Sequence, residues 1–342
     1  MDYRKEDVNL ILKRYSKMAE PVMKKLLVLN VDRRFQKLVK YQIETGGKRL
    51  RSALAIISCQ LFGGKIKDVL LPAAGLETLH NYTLIVDDII DNSILRRGKP
   101  TTWFKFGSSI AQCIAMDYGA TVFQIANLSR KPEQLSDLFA KALKAIVDGE
   151  ILDILFEQEG REKEPYIVKN RYSKISENDY FRMVDRKTAF FTQSCCEVGG
   201  IITGSKKEEI LALRNYGFNL GVAFQIQDDI LDIFGEEQRF GKEIGKDIME
   251  RKGGNIVILL ALKELNAKGK KKLLGILRKK QINQRDIKTA TSLIRKTNSR
   301  QKAVLLGQNF IKKAKKALRK LPQNKWNKLL TALADFVIGR EK

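Results

Sequence analysis

The sequence predicts an all-α protein, on three observations. Only six prolines interrupt 342 residues, and long stretches without Pro or Gly favour helices over many-turned β folds. Apolar residues recur at helical spacing, as in "RSALAIISCQLF" (Arg51 to Phe62) and "NLGVAFQIQDDILDIFG" (Asn219 to Gly235). No segment shows a competing strand alternation. The expectation is a single domain over residues 1–342 with roughly a dozen helices of ordinary length.

Taken in order, "MDYRKEDVNLILKRYSK" is periodic and of mixed charge, and reads as a helix rather than a signal peptide. Gly46-Gly47 and Gly63-Gly64 bracket the next helix. Pro72 opens a helix that continues unbroken to Asp91. Ser176, with Asp179 three residues on, forms a variant of the capping box. The helix beginning at Asn219 stops at Gly235. Two basic helices, Lys268 to Lys280 and Ile311 to Lys320, close the chain. Gly98–Thr102, Gly160–Asn170 and Gly235–Gly254 read as loops, each beside a charged motif.

A chain that is 44% hydrophobic and 30% charged buries a sizeable core and is not of the disordered type. No stretch reaches the run of about 18 uncharged apolar residues that marks a membrane span, so a soluble cytoplasmic protein is expected. Cys59, Cys113, Cys195 and Cys196 lack metal-ligand spacing and read as small buried thiols in a reducing compartment. The net charge of +25 points to a polyanionic partner: nucleic acid, an anionic membrane surface or a phosphorylated small molecule. Much of the excess lies in the two late basic helices, where lysines between apolar positions describe a solvated helix face. Peripheral membrane contact stays open there.

The sharpest feature is an acidic cluster that occurs twice, as "VDDIID" and "QDDILD". On a helix, positions i and i+4 share a face, so Asp87 pairs with Asp91 and Asp228 with Asp232. Like charges one turn apart repel, and apolar flanks argue against a plain solvated face. Repetition inside two apolar helices calls for a compensating cation. Carboxylates without His or Cys partners suit a hard, oxygen-seeking ion, above all Mg2+, which shares its shell with water and phosphates.

Basic residues supply the complement. In "TGGKRLRSAL", Lys48 and Arg51 fall one turn apart at a helix start, where glycines admit close approach and the helix dipole adds positive potential. His80, the only histidine, lies two turns before Asp87 on the same face. Arg96 and Arg97 follow the first acidic motif, and Lys187-Thr188 sits in "DRKTAFF". Gln225 precedes Asp228, and Lys242, Lys246 and Lys252 dot a glycine-rich loop. Each alone reads as a solvated charge; together they make two basic sets around two acidic clusters, which suits two anionic groups.

From about Gln42 to Ala261 the chain resembles the trans-prenyl diphosphate synthases, with a basic helical part over 262–342. The motifs "GGKRLR", "HNYTLIVDDIIDNSILRRGKPT", "RKTA", "FQIQDDILD" and "GKEIGKDI" occur in family order, and "ETLHNYTLIVDDIID" looks most like archaeal geranylgeranyl diphosphate-type enzymes. The resemblance implies an isoprenoid-synthase-type helical bundle around a central cavity, a homodimer, and no nucleic-acid partner. It implies condensation of an allylic diphosphate (dimethylallyl, geranyl or farnesyl) with isopentenyl diphosphate. By resemblance, Asp87, Asp91 and Asp228 bind about three Mg2+ ions, with Asp88, Asp229 and Asp232 completing the acidic set. Arg96, Lys187, Thr188, Gln225, Lys242 and Lys252 hold the allylic diphosphate; Lys48, Arg51, His80 and Arg97 hold isopentenyl diphosphate.

Product length falls to Tyr82, five residues before the first aspartate, with Thr83 beside it. The resemblance suggests a C20 product, with C15 or C25 needing modest reshaping. Three positions depart from the family pattern: Val86 where a second His is common, Glu150 in "DGEILD" where Gln is common, and the Gly-Gly-Asn that follows Lys252. The rival readings are a class I terpene cyclase, a non-catalytic subunit on the same fold, and a nucleic-acid binder proposed from charge alone. The doubled acidic motif and "GGKRLR" argue against the first and the intact ligand sets against the second; a steep salt dependence of DNA binding, with no turnover of prenyl diphosphates, would favour the third.

Overall fold

In the computed structural model, residues 3–47, 49–235 and 245–339 are described. They hold seventeen α-helices, one π-helical turn and one two-stranded hairpin. In order these are α1 (Lys5–Leu27), α2 (Gln36–Glu44), α3 (Leu50–Leu61), α4 (Ile66–Ile90), β1 (Leu95–Arg96), β2 (Lys99–Pro100), α5 (Thr102–Phe106), α6 (Ser108–Leu128), α7 (Pro132–Leu155), α8 (Pro165–Asn170) and α9 (Glu177–Val184). The π turn (Asp185–Ala189) leads into α10 (Phe190–Thr203), and α11 (Lys207–Phe234) follows. Then come α12 (Lys246–Met249), α13 (Ile256–Glu264), α14 (Ala267–Leu277), α15 (Gln284–Arg295), α16 (Ser299–Leu318) and α17 (Lys325–Ile338). None of the described helices is long and apolar enough to cross a membrane.

The all-α expectation holds, with local corrections. The helix expected to enter at Pro72 starts at Ile66, behind the extended Lys65, and carries Pro72 inside it. Asp68 in its first turn complements the dipole there. The helix expected from Asn219 begins at Lys207, with Glu208 and Glu209 in its first turn. The stretch Gly160–Asn170 ends in α8, which has Pro at N1. The stretch after the first acidic motif folds as an antiparallel hairpin pairing Arg96 with Lys99. Its two-residue turn, Arg97-Gly98, has positive φ at both positions (55° and 73°), the primed geometry that matches strand twist. The capping box at Ser176 forms as read: its Oγ accepts the Asp179 amide, and Asp179 accepts the Ser176 amide. Of the four thiols expected to be buried, Cys59, Cys195 and Cys196 are, and Cys113 is exposed.

The described residues group into two compact units. The first comprises Met1–Leu143, Thr192–Gly217 and Ala314–Phe336. Here α4 packs on α1, α3 and α6, around Met23, Leu27, Ile43, Ala74, Ile85, Ile114 and Tyr118. The Tyr118 hydroxyl, fully buried, donates to the Val39 carbonyl at 2.7 Å. The second unit comprises Lys144–Phe191, Phe218–Lys313 and Val337–Lys342. Its core joins Phe156, Tyr180, Val184, Ile226, Ile230 and Ile233 to the wholly apolar run Ile256–Ala261 of α13. Asn255 caps α13, its side-chain oxygen accepting the Val257 and Ile258 amides.

One group in the first unit works against this packing. Asp117 on α6 has a carboxyl oxygen with no hydrogen-bond partner among the described residues, and burial pushes its pKa up to about 6. The folded protein therefore holds this proton more tightly than the unfolded chain. The resulting stability is complete below the ordinary value of 3.8 and is lost as pH rises through about 6. Asp117→Asn should exceed the parent in stability at neutral pH by about 1–2 kcal/mol, allowing for partial exposure. Urea melts at neutral and acid pH check this: the gap should close in acid.

Candidate active site

In the first unit, the residues around the Gly46-Gly47 turn assemble a dense cluster of cations. Arg49, at φ 49° before α3, is buried; it donates to the Ile43 carbonyl at 2.7 Å and lies 3.7 Å from Glu20. Glu77 of α4, itself buried, accepts the Ser52 amide at 3.0 Å and so caps the N-terminal turn of α3. Gly47 sits at φ +139°, and a Cβ there would fall 2.8 Å from the Arg97 guanidinium. The glycine is what lets Arg97 lie against this backbone, where its Nη1 donates to the Gly46 carbonyl.

His80 shows how close these charges are. Burial first, and then the positive field of Arg51, Arg97, Arg96 and Arg49, holds its imidazole well below the usual range. It is held as an uncharged hydrogen-bonding group in the combined positive field of these four arginines. The structure thus brings together Arg51, His80 and Arg97, the described part of the set expected for one anion; Lys48 lies outside the described residues. Sequence reasoning passed over Arg49 and Glu77. The signal for Glu77 was present, since it stands three residues before His80 on a shared helix face.

At the C-terminal end of α4, Asp88 is buried while Asp87 and Asp91 keep partial exposure. Arg96 reaches back from β1 to clamp Asp88 with its Nε, at 2.8 and 3.0 Å from the two oxygens, and its Nη2 lies 3.4 Å from Asp87. The first motif is therefore already joined to a cation that sequence reading had reserved for a diphosphate. Tyr82 packs into the core of this unit, its ring 3.7 Å from where a side chain at Gly119 of α6 would begin. Thr83 donates from its hydroxyl to the His80 carbonyl.

In the second unit, the "RKTA" motif forms the π turn, a local departure from α geometry that is frequent at functional sites. A Cβ on Gly149 of α7 would meet the Lys187 amide nitrogen at 2.3 Å, so only glycine permits this approach of α7 to the turn. Lys187 then lies 2.7 Å from Glu150 and 2.6 Å from Asp153. Lys252 converges on the same Asp153 at 3.2 Å and on Glu250 at 3.2 Å. Burial opposes ionisation of Asp153, but Lys187 and Lys252 outweigh it and hold the carboxyl well below its ordinary range.

Thr188 donates to Gln225 at 3.0 Å, and Gln225 donates to Asp229 at 2.9 Å. Asp229 also accepts the Ile256 amide at the start of α13, and Asp232 accepts the Asp247 amide. Asp229 and Asp232 are buried, whereas Asp228 is partly exposed. Lys187, Thr188, Gln225 and Lys252 therefore share one unit with the second acidic motif; Lys242 lies outside the described residues.

The charge balance at that motif fits a cation. Burial, followed by the neighbouring Asp247 carboxylate, pushes both Asp229 and Asp232 well above the carboxylate range. Without a cation the protein favours the uncharged forms of these two acids, so their ionised forms call for a compensating charge, and all the donors are hard oxygens. Among the described residues, no three His, Cys, Asp or Glu side chains converge to form a cage. Magnesium demands none, since it keeps several waters and substrate oxygens in its shell.

Comparison with known proteins follows this geometry. A polyprenyl synthetase family model matches residues 32–294. The geranylgeranyl diphosphate synthase of Saccharolobus solfataricus is 35% identical over 269 residues, covering 73% of this chain and 76% of that one. The crystal structure of geranylgeranyl pyrophosphate synthetase from Pyrococcus horikoshii superposes with a TM-score of 0.86 at 29% identity, over 98% of this chain and 99% of that chain. A polyprenyl synthase from Caulobacter crescentus, complexed with calcium and isoprenyl diphosphate, superposes with a TM-score of 0.83 at 27% identity, over 97% and 98% of the two chains. The chain belongs to the polyprenyl synthetase family, with the all-α fold of that family. It is an enzyme, a prenyltransferase of the short-chain isoprenyl diphosphate synthase type.

The Arg96–Asp88 pair carries a testable consequence for stability. Asp88 is almost fully buried and Arg96 is 17% exposed, so removing the carboxylate leaves the guanidinium with its longer 3.4 Å contact to Asp87 in place of a two-oxygen clamp. Asp88→Ala should cost about 3 kcal/mol, read as a lower urea midpoint; an unchanged midpoint would show that Arg96 escapes to solvent.

Proposed function

We propose that the protein condenses an allylic diphosphate with isopentenyl diphosphate, head to tail and Mg2+-dependent, to give all-trans geranylgeranyl diphosphate (C20). The observation that carries the reading is the gathering of arginines at the Gly46-Gly47 turn, where Arg49 donates to the Ile43 carbonyl and Arg97 to the Gly46 carbonyl, with their field and that of Arg51 and Arg96 felt at His80. Like charges held together at a polar, partly open position mark an anion site. The second cationic set, Lys187 and Lys252 with Thr188 and Gln225, supplies the second site that a two-diphosphate reaction needs. The names of the relatives support the substrate class and the C20 product.

In this reading Arg51, His80 and Arg97, with Lys48, orient isopentenyl diphosphate, and Arg49 and Glu77 hold that frame. Lys187, Thr188, Gln225 and Lys252, with Arg96 and Lys242, grip the allylic diphosphate. Asp87, Asp91 and Asp228 would hold about three Mg2+ ions, with Asp88, Asp229 and Asp232 behind them; bound there, the metal neutralises the leaving diphosphate. The allylic C–O bond breaks and its electron pair leaves with the diphosphate oxygen. The double bond of isopentenyl diphosphate attacks the allylic cation, a C–C bond forms, and a proton passes to the released diphosphate. The cations of both sets are preorganised where negative charge develops, and apolar walls exclude water.

The reading treats residues 1–342 as one catalytic domain in the cytoplasm, where the free thiols Cys59, Cys113, Cys195 and Cys196 persist. It also includes a homodimer, supported by exposed apolar side chains along α6: Ile110, Met116, Phe123 and Leu128 are 40–73% exposed. An exposed row of that kind suits a protein interface. Sedimentation should give twice the chain mass; a monomer would overturn the dimer.

The deciding assay supplies Mg2+, labelled isopentenyl diphosphate and, in turn, dimethylallyl, geranyl and farnesyl diphosphate, and sizes the products by chromatography. C20 chains are expected, and extension of none of the primers would favour a non-catalytic subunit. Tyr82→Ala opens the space its ring fills against Gly119 and should shift products beyond C20; an unchanged distribution would move the floor of the pocket to another side chain.

A further inference from the structure

Lys187 is flanked by two carboxylates. Its Nζ lies 2.7 Å from Glu150 and 2.6 Å from Asp153, at the short, charge-assisted end of hydrogen-bond distances. Asp153 is shared with Lys252, and Glu250 is shared between Lys252 and Lys246 at 3.2 and 2.9 Å. The described ions therefore alternate, acid and base, from Glu150 to Lys246. Lys187 and Lys252, the described lysines assigned to a diphosphate, are already engaged by the protein's own carboxylates.

The Glu150 contact is set by the backbone, not by a wandering side chain. Gly149 brings α7 so close to the π turn that a Cβ would lie 2.3 Å from the Lys187 amide nitrogen and 2.6 Å from its Cα. Glu150 is the next residue, with its side chain only 15% exposed. Where the family pattern has a neutral glutamine, this chain places an anion against Lys187. A glutamine of the same size would accept the same hydrogen bond without opposing a second anion.

We propose that Glu150 is a positioning residue that competes with the allylic diphosphate for Lys187 and so weakens the binding of that diphosphate. The inference rests on the reading of Lys187 as an allylic-diphosphate ligand. The competing anion stands at Lys187 and not at the arginine cluster, so its effect falls on the allylic diphosphate and not on isopentenyl diphosphate.

The test uses Glu150→Gln and the unreactive analogue geranyl S-thiolodiphosphate, with affinity measured by calorimetry in EDTA and in excess Mg2+. In EDTA the variant should bind the analogue roughly tenfold more tightly than the parent, the gap should narrow in Mg2+, and the affinity for isopentenyl diphosphate should be the same in both proteins. Equal analogue affinities in EDTA would overturn the proposal. So would an equal gain for both ligands, which would report general charge rather than competition at Lys187. If Glu150→Gln fails to fold by circular dichroism, Glu150→Ala carries the same test with the same expected sign. A parent that turns over prenyl diphosphates while the variant binds like it removes only this inference; a parent that binds no analogue even in Mg2+ removes the functional reading as well.

Discussion

Everything in the second unit's site depends on one buried carboxylate accepting two lysines. Asp153 projects from the last turn of α7, Lys187 comes from the π turn, and Lys252 from the segment after α12. Three pieces of chain, distant in sequence, are joined at one point where burial alone would have neutralised the acid. Neither lysine can leave without stranding charge, which is why such pairs set geometry more firmly than they add stability. The first unit uses the same device at Asp88, where Arg96 ties the end of α4 to the hairpin. In both units the groups that would meet an anion are held in place by acids before it arrives.

The helical class was legible because long periodic segments carry their own evidence. The Arg51–Phe62 segment became α3 nearly as read, since glycine pairs punctuate both ends. Errors came where a local rule met a stronger context. Pro72 looked like an entry residue, yet α4 starts earlier because Asp68 and Val69 already satisfy the dipole and the core. Short pieces such as α5, α8 and α12 are below the length at which a 3.6-residue period can register. The hairpin left only the Arg97-Gly98 turn as its trace, of which sequence reading took Gly98 for the start of a loop.

Of the site, the residue types were legible and their partners were not. Asp-Asp-x-x-Asp on an apolar helix states its chemistry, and so does a basic run after two glycines. What spacing could not convey is which charges meet. Arg96 goes to Asp88, Gln225 to Asp229 rather than Asp228, and Lys187 to Glu150 and Asp153. Except for Gln225–Asp229, which lies within α11, these pairings are made between separate parts of the chain, as where Gly149 lets α7 approach the backbone of Lys187. Arg49 escaped notice because a buried ion is indistinguishable in sequence from an exposed one.

The hairpin after the first acidic motif has a consequence of register. Arg96 and Arg97 are neighbours in the chain, yet one faces the end of α4 and the other the Gly46-Gly47 backbone. Lys99 and Tyr41 pin the returning strand, through the Glu44 and Pro100 carbonyls, so the turn has no slack. An insertion of one residue between β1 and β2 would break the two-residue turn and carry Arg97 off the Gly46-Gly47 backbone, while Arg96, upstream, kept its place on Asp88. Arg97 would then be present in composition and misplaced in space. This short loop should therefore tolerate changes of side chain far better than changes of length, a constraint on indels rather than on substitutions.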